Sequence, residues 1–219
     1  MATMQEIKTA THNQSLIRKV LDGAAVLAPY STSMPDAWVD ENGALKELPE
    51  GFAGLGIVEK DSGYEFGSDQ DTEEVEGHGY SSPVRIDIVK TTRTVSFTAL
   101  ETNKVVLEQY HGIDLSGVKA DAAGTIVFSE PENAARPYAR LCLIGSDGVG
   151  EDEIFMIKEM PRVQVTEVES QSWSSSDALK YGMTMTAFAD PELGYSIRNI
   201  IAGPGAKKYA QAMGFEIGA

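Results

Sequence analysis

Residues 84–101 read VRIDIVKTTRTVSFTALE, and apolar and polar side chains alternate in two parts of this stretch. The apolar positions of the alternation are Val84, Ile86 and Ile88, then Val95 and Phe97. Successive side chains of a β-strand point to opposite faces, so this period of two predicts two strands with one buried face each.

A helix is predicted directly after the second strand, over Leu100 to Tyr110. Thr98 and Glu101 have the spacing of a capping box, in which each side chain accepts from the other residue's backbone amide. Leu107 lies on the apolar side of this helix and is expected to face the sheet, and Gly112 suits its C-terminal stop.

Beyond the helix, five short segments have strand character and are bounded by Gly, Pro, Asp or Ser. They span residues 125–128, 138–144, 153–158, 162–169 and 179–188. An apolar run at residues 24–28 predicts a further strand near the N-terminus. Many strands with one helix predict a mainly β fold, an antiparallel β-sandwich or barrel. We expect one domain over 1–219, with an N-terminal arm (1–23) and a C-terminal arm (203–219).

Residues 31–82 are rich in turns and acids, and they predict a long loop. Residues 52–59 and Tyr64–Phe66 flank an Asp-Ser-Gly turn and predict a short hairpin within it. The acids that follow are Glu65, Asp69, Asp71, Glu73, Glu74 and Glu76. A segment this long with few large apolar residues is expected to be poorly ordered in an isolated subunit.

The charge balance disfavours nucleic-acid recognition. Thirty-three acidic residues against 18 basic ones give a formal net charge of −15. Such a surface repels phosphates, so sequence-specific binding of DNA or RNA is not expected. Cys142 is the sole cysteine and lies in an apolar run, which indicates a small buried side chain. No signal peptide or membrane-spanning stretch is predicted, which favours synthesis in a cytoplasm-like compartment.

No constellation of catalytic residues stands out, and we predict neither an enzyme nor a cofactor. His12, His78 and His111 lie far apart in the sequence and have no metal-ligand partner at short spacing. A calcium loop beginning at Asp69 fails, because Glu74 replaces the required glycine and Tyr80 the bidentate acid. A looser ion site remains open there, or around Asp147 and residues 151–153.

Two stretches resemble a known family. Residues 38–56 contain WVDENGAL and LPEGF, and residues 77–112 contain GHGYSSPVR, VSFTALETNK and LEQYHG. Together they resemble the major tail proteins of long-tailed bacteriophages with non-contractile tails (siphophages), particularly those of actinobacterial hosts.

The resemblance implies a β-sandwich with one flanking helix, whose copies form hexameric rings that stack into a tube. The inner sheets join into a barrel through which DNA passes without specific binding. The implied location is the virion tail, after assembly in the host cytoplasm. The implied partners are further copies of the chain and the tape-measure, terminator and distal tail proteins; no membrane is involved.

Candidate contact and lumen residues follow from this picture. The large apolar residues of the 31–82 segment are the expected inter-ring contacts: Trp38, Phe52, Tyr64 and Phe66. Acids at polar positions of later strands are the lumen candidates: Glu153, Glu167 and Glu169. One alternative is another phage head or neck structural protein, such as a decoration or tail-completion protein. A second is an enzyme or carbohydrate-binding module on a β-sandwich, for which no motif is found.

Overall fold

A computed structural model describes residues 2–132 and 136–218, and it is mainly antiparallel β-structure. The helices are α1 (Met4–Thr11), α2 (Lys104–His111) and α3 (Pro204–Tyr209). The strands are β1 (Asp22–Pro29), β2 (Ala53–Gly54), β3 (Tyr64–Val75), β4 (Arg85–Ala99), β5 (Ala139–Asp147), β6 (Ile154–Val168), β7 (Tyr181–Ala187) and β8 (Arg198–Ala202). The predicted mainly β, antiparallel fold class is confirmed.

The strand order is β2-β1-β5-β6-β7-β4-β3, with β8 also paired to β6. The long strand β6 belongs to two sheets. Its first half lies between β5 and β8, and its second half, from Val163, pairs with β7. We call β2-β1-β5-β6-β8 the first sheet and β6-β7-β4-β3 the second sheet.

The transition in β6 falls at Pro161, where the pairing with β5 shifts register between Ala139 and Leu141. Proline has no backbone N–H to donate to a neighbouring strand, and a β-bulge accommodates it. The Arg140 guanidinium donates to the Pro161 carbonyl oxygen across this bulge, at 3.0 Å. The two segments predicted at 153–158 and 162–169 are therefore one strand.

The main core lies between the two sheets. Leu27, Leu141 and Met160 of the first sheet pack with Phe97 and Met185 of the second. A second buried cluster covers the opposite face of the first sheet, so that this sheet is buried on both sides, and its members are Val26, Ala28, Trp38, Phe52, Cys142, Phe155 and Ile157.

Helix α2 begins at Lys104, four residues later than predicted. The capping box predicted for Thr98 and Glu101 is wrong, because Thr98 lies within β4 and pairs with Gly182. Asn103 is the cap instead, and its side chain accepts from the Val106 amide at 2.9 Å. Leu107 is partly buried against the core as expected, and Gly112 ends the helix with φ of 68°.

The 31–82 segment is not a single loop. Residues 64–75 form β3, which pairs with β4 from Tyr64↔Phe97 to Val75↔Arg85, so the hairpin predicted between 52–59 and Tyr64–Phe66 is wrong. The first half of the segment is packed onto the first sheet through Trp38 and Phe52. This packing argues against the poor order predicted for that half.

Two further segments differ in detail from the predictions. Residues 125–128 are irregular, and Ile126 and Val127 are exposed, so no strand forms there. The arms at 1–23 and 203–219 carry the short helices α1 and α3, in addition to the expected flanking helix α2.

Candidate functional site

The second sheet has one apolar and one polar face. Residues paired across β3, β4, β7 and β6 form rows, and successive rows face opposite sides of the sheet. The row that faces the core is Phe66–Val95–Met185–Val165. The two neighbouring rows face away, and they are Glu65–Ser96–Thr184–Glu167 and Gly67–Thr94–Thr186–Gln164. We call the set of outward rows the polar face.

Hydroxyl groups on the polar face bond to each other. Ser96 and Thr184 are 2.8 Å apart between their oxygens, and Thr166 and Thr186 are 2.9 Å apart. Each pair uses at least one hydroxyl hydrogen internally, which leaves fewer donors for a passing ligand. A larger residue at position 67 would displace the Thr94 side chain, since a Cβ there would lie 2.4 Å from the Thr94 Oγ1.

Acids outnumber bases on the polar face. The register places Asp69 and Asp71 on the same side as Glu65, and Asp71 lies opposite Lys90, with 4.0 Å between its Oδ2 and the lysine Nζ. Glu167 is in the outward row of Thr184, and the Glu169 side chain lies over Gly182. This face thus joins the acids of β3 to two of the three lumen candidates.

The third lumen candidate, Glu153, lies elsewhere. It precedes β6 at the far end from Glu167, and its carbonyl oxygen accepts from the Gly205 amide at 2.8 Å beside α3. Glu153 is therefore separated from Glu167 and Glu169 by the whole length of β6, and we drop it from the set.

The second sheet ends in two strands that are paired on one side only. Within the described residues, β3 pairs with β4 alone, and β6 beyond Val163 pairs with β7 alone. An edge strand presents unpaired amides and carbonyls that template the addition of another strand.

The outer half of the β3–β4 hairpin projects as a two-stranded ribbon. Residues 85–92 of β4 precede its pairing with β7, and they pair only with β3 in the described part of the chain. Ile86 and Ile88 are 58% and 59% exposed, and the register places both on the face that continues the core side. A two-stranded ribbon alone is marginally stable in water, so packing against another element would stabilise this one.

Two of the predicted inter-ring residues are buried inside the subunit. Trp38 packs edge-on against Phe52, with 5.8 Å between ring centroids, and its Nε1 donates to the buried carboxylate of Glu159. Arg198 and Tyr195 donate to the same carboxylate. Neither Trp38 nor Phe52 is accessible to another copy, and we remove both from the contact set.

Tyr64 and Phe66 lie at the start of β3, at the mouth of a cleft between the two sheets. Burial raises the pKa of Tyr64 to about 12, so its phenol is neutral at neutral pH. Phe66 is exposed, and the Lys158 ammonium lies 4.6 Å from its ring centroid. Of the four predicted residues, Phe66 is the one whose side chain reaches the surface.

A second buried ion pair fixes the segment after β7 to the first sheet. Arg140 Nη1 donates to Asp190 Oδ2 at 3.2 Å, and the amides of Glu192 and Leu193 donate to Oδ1. Burial alone would raise the pKa of Asp190, but these amides, the Tyr30 hydroxyl and the Arg140 charge together lower it. Arg140 also donates to the Tyr30 and Thr32 carbonyl oxygens, so the pair stabilises the turn after β1.

Residues considered for chemistry are dispersed. His12 ends α1, His78 lies in the turn of the β3–β4 hairpin, and His111 pairs with Glu130 at 2.7 Å. Among residues 2–132 and 136–218, no group of three His, Cys, Asp or Glu side chains is placed to hold a metal ion. Burial raises the pKa of the Cys142 thiol, which makes it a poor nucleophile. No described helix is long and apolar enough to cross a lipid bilayer.

The two-sheet sandwich thus leaves unpaired strand edges and an exposed apolar ribbon that another chain could cover. The model of a family described as phage tail tube protein matches residues 10–200 of the chain. The protein belongs to this family, and is a structural component of the phage virion tail. This family assignment favours the tail over a head or neck protein. No curated protein matches the chain.

Proposed function

We propose that copies of this chain form hexameric rings that stack into a tail tube and that DNA passes through the lumen during ejection. The observation that carries the proposal is the second sheet, which combines a buried apolar face, a polar acidic face and two unpaired edge strands. The family membership makes self-assembly within a tail the expected context.

Ring closure follows from the two unpaired edges. The edge of β3 in one copy adds to the second half of β6 in the next copy, which extends the second sheet around the ring. This contact is head-to-tail, and it closes when the rotation between copies completes a circle. Closure pairs backbone groups that are otherwise an aggregation hazard, as in any closed barrel.

The polar face then becomes the lumen wall. Its acids repel DNA phosphates, whereas a basic wall would bind them with an affinity that rises with each contact. Lumen residues in this proposal are Glu167 and Glu169, together with Glu65, Asp69 and Asp71 of β3.

Contact between stacked rings is assigned to the β3–β4 ribbon and to Phe66. Ile86 and Ile88 replace Trp38 and Phe52 as apolar anchors, because they are exposed in the subunit. Covering them with a neighbouring ring removes apolar area from water and completes a ribbon that is marginal alone.

Narrower features rest on the resemblance of residues 38–56 and 77–112. On that basis we propose a siphophage of an actinobacterial host, assembly in the host cytoplasm, and partners that include the tape-measure, terminator and distal tail proteins.

Negative-stain electron microscopy of the concentrated protein tests the proposal. We expect tubes with a regular axial repeat from the wild-type chain, and single rings or monomers from Ile88→Asp. Val149→Asp, an apolar-to-acidic change at a side chain that is 85% exposed and lies outside the ribbon, controls for added charge. Spherical particles, or rings that never stack at any concentration, would exclude the tube.

A further inference from the structure

Trp173 lies in the loop that joins β6 to β7, residues 169–180, which we call the β6–β7 loop. Its side chain is 84% exposed, and its Nε1 donates to the Gln171 Oε1 at 3.1 Å. An aromatic ring this exposed is outside the core of the subunit. Tryptophan is, however, among the residues that most often anchor contacts between proteins, because it offers a large apolar surface at low conformational cost.

The β6–β7 loop is fixed at both ends. At its start, the Tyr110 hydroxyl of α2 donates to the Glu169 carbonyl oxygen at 2.5 Å. At its end, the Lys180 ammonium pairs with the Glu59 carboxylate at 2.6 Å. The Gln171 Nε2 also donates to the Lys180 carbonyl oxygen, at 3.1 Å, and so closes the loop across its base. A contact residue on a fixed loop loses less conformational freedom on binding than one on a free loop.

The β6–β7 loop and the β3–β4 ribbon lie at opposite ends of the second sheet. The loop leads into β7 where Tyr181 pairs with Ala99, the last residue of β4. The ribbon begins where β7 ends, beyond Arg93, and Ile88 lies further out along β4. A strand rises about 3.3 Å per residue, so Ile88 projects about 17 Å past the end of β7 and lies about 36 Å from Ala99.

We propose that Trp173 of one copy is the apolar contact that receives Ile86 and Ile88 of a copy in the next ring. The inference rests on the stacking proposed above, and it names the surface that the ribbon meets there.

Symmetry identifies the ribbon of another copy as the partner of Trp173. Strands of a closed barrel are tilted by about 35–45° from its axis, so the two ends of the second sheet face opposite sides of the ring. In a tube of stacked rings all subunits point the same way, and each interface between rings is head-to-tail. A ribbon therefore cannot meet a second ribbon. The surface that it meets belongs to the end of the subunit that carries the β6–β7 loop.

Large apolar side chains are exposed at both of these ends. Ile86 and Ile88 are more than half exposed on the ribbon. At the other end Ile57 is 63% exposed, and the Glu59–Lys180 ion pair holds its segment beside the β6–β7 loop. Joining the two ends removes apolar area from water on both subunits, which favours stacking.

Substitution of Trp173 in the full-length chain tests the inference by negative-stain electron microscopy. Trp173→Ala should form rings that do not stack at the concentration at which the wild type forms tubes. Trp173→Phe keeps an aromatic ring and should retain tubes. Val149→Ala, at a side chain that is 85% exposed and precedes β6 at its other end, should leave tubes unchanged. The free energy of unfolding of dilute Trp173→Ala should equal that of the wild type, because an exposed side chain is removed.

Cross-linking with a short bismaleimide identifies the partner surface. One chain carries Ser172→Cys, beside Trp173, and a second, differently labelled chain carries Val89→Cys on the ribbon, so the apolar contact residues stay intact. Background from Cys142 is low, because that thiol is buried. We expect a product that joins the two chains, and its loss when Val149→Cys replaces Ser172→Cys. Within one chain the two positions are too far apart for a short linker, because they lie at opposite ends of β4.

The outcomes separate this inference from the tube. Tubes from Trp173→Ala that match those of the wild type would overturn the inference and leave the proposed function intact. Wild-type tubes in which positions 172 and 89 do not cross-link would do the same. Absence of tubes from the wild-type chain would contradict the proposed function and the inference with it.

Discussion

Replacing Trp38 with alanine is expected to lower the free energy of unfolding of the subunit. The size of the decrease follows from the surroundings of the side chain. The side chain is 5% exposed, packs against Phe52, and donates to the buried Glu159 carboxylate. Truncation of a buried tryptophan costs about 3–5 kcal/mol. We expect the upper part of that range, because Glu159 also loses one of its donors while it stays buried.

Trp38→Phe separates the hydrogen bond from the packing. Phenylalanine keeps an aromatic ring beside Phe52 but cannot donate to Glu159. A lost hydrogen bond to a charged group costs about 1.5–3 kcal/mol, so this variant should fall between the wild type and Trp38→Ala.

Urea unfolding of dilute protein, where copies do not assemble, measures these free energies. Trp173→Phe is the matched control, because Trp173 is 84% exposed and its replacement should change the free energy of unfolding by less than about 0.5 kcal/mol. The same control leaves Trp38 as the sole tryptophan and simplifies the fluorescence signal. An unchanged free energy of unfolding in Trp38→Ala, together with loss of tubes, would refute the intramolecular role and restore the inter-ring role predicted from sequence.

Three other expectations concern the lumen, the Asp190 ion pair and the lone thiol. Thr184→Lys adds a ring of positive charges to the proposed lumen, so purified tubes of this variant should retain DNA fragments, and retention should fall as the salt concentration rises. Thr184→Val adds no charge and should retain none. Equal retention by both variants would contradict the lumen assignment. The pKa of Asp190 is lowered from 3.8 in the folded protein, so its carboxylate stabilises the fold fully above that pH, and this stabilisation is lost as the pH falls through the folded pKa. Asp190→Asn should therefore weaken the fall in unfolding free energy at acid pH. An unchanged acid dependence would contradict this. Cys142 should resist a thiol reagent until urea unfolds the chain, and rapid labelling of the native protein would show that its strand opens readily.

Alternation in the sequence predicted β7 and the second half of β4 correctly, because one face of each is buried there. The two strands predicted within residues 84–98 are one strand, β4, and the buried face predicted for Val84, Ile86 and Ile88 is wrong, because all three side chains are more than half exposed. The period of two at Val95 and Phe97 and in β7 corresponds to the core rows that the structure contains. The same rule explains why the acidic stretch at 65–76 predicts a loop, although residues 64–75 form β3. That strand has both faces exposed over most of its length, so no apolar period marks it.

Helix capping shows how tertiary pairing overrides a local motif. The Thr-x-x-Glu spacing occurs at Thr3–Glu6, at Thr98–Glu101 and, at the end of β6, at Thr166–Glu169. Only the first forms a capping box, since Thr98 is held in β4 by its pairing with β7. Glu101 is used instead to accept from the Ile57 amide at 2.9 Å.

Contact residues were the least predictable part. Trp38 and Phe52 are predicted to contact the next ring because they lie in a polar, turn-rich segment. That segment instead folds back over the first sheet and buries both side chains. Trp38 donates to Glu159, which lies 121 positions away, and no local sequence pattern at either residue predicts this hydrogen bond. Ile86 and Ile88 looked like core residues because their alternation is regular, and only the extent of β7 shows that the ribbon runs past the sandwich.

A cryo-electron microscopy reconstruction of the assembled tube tests the central proposal most directly. We predict hexameric rings in which β3 of each copy pairs with the second half of β6 in the next copy, and a lumen lined by Ser96, Thr184, Glu167 and the acids of β3. A lumen lined by the first sheet, or one formed mainly by Lys and Arg side chains, would contradict that prediction.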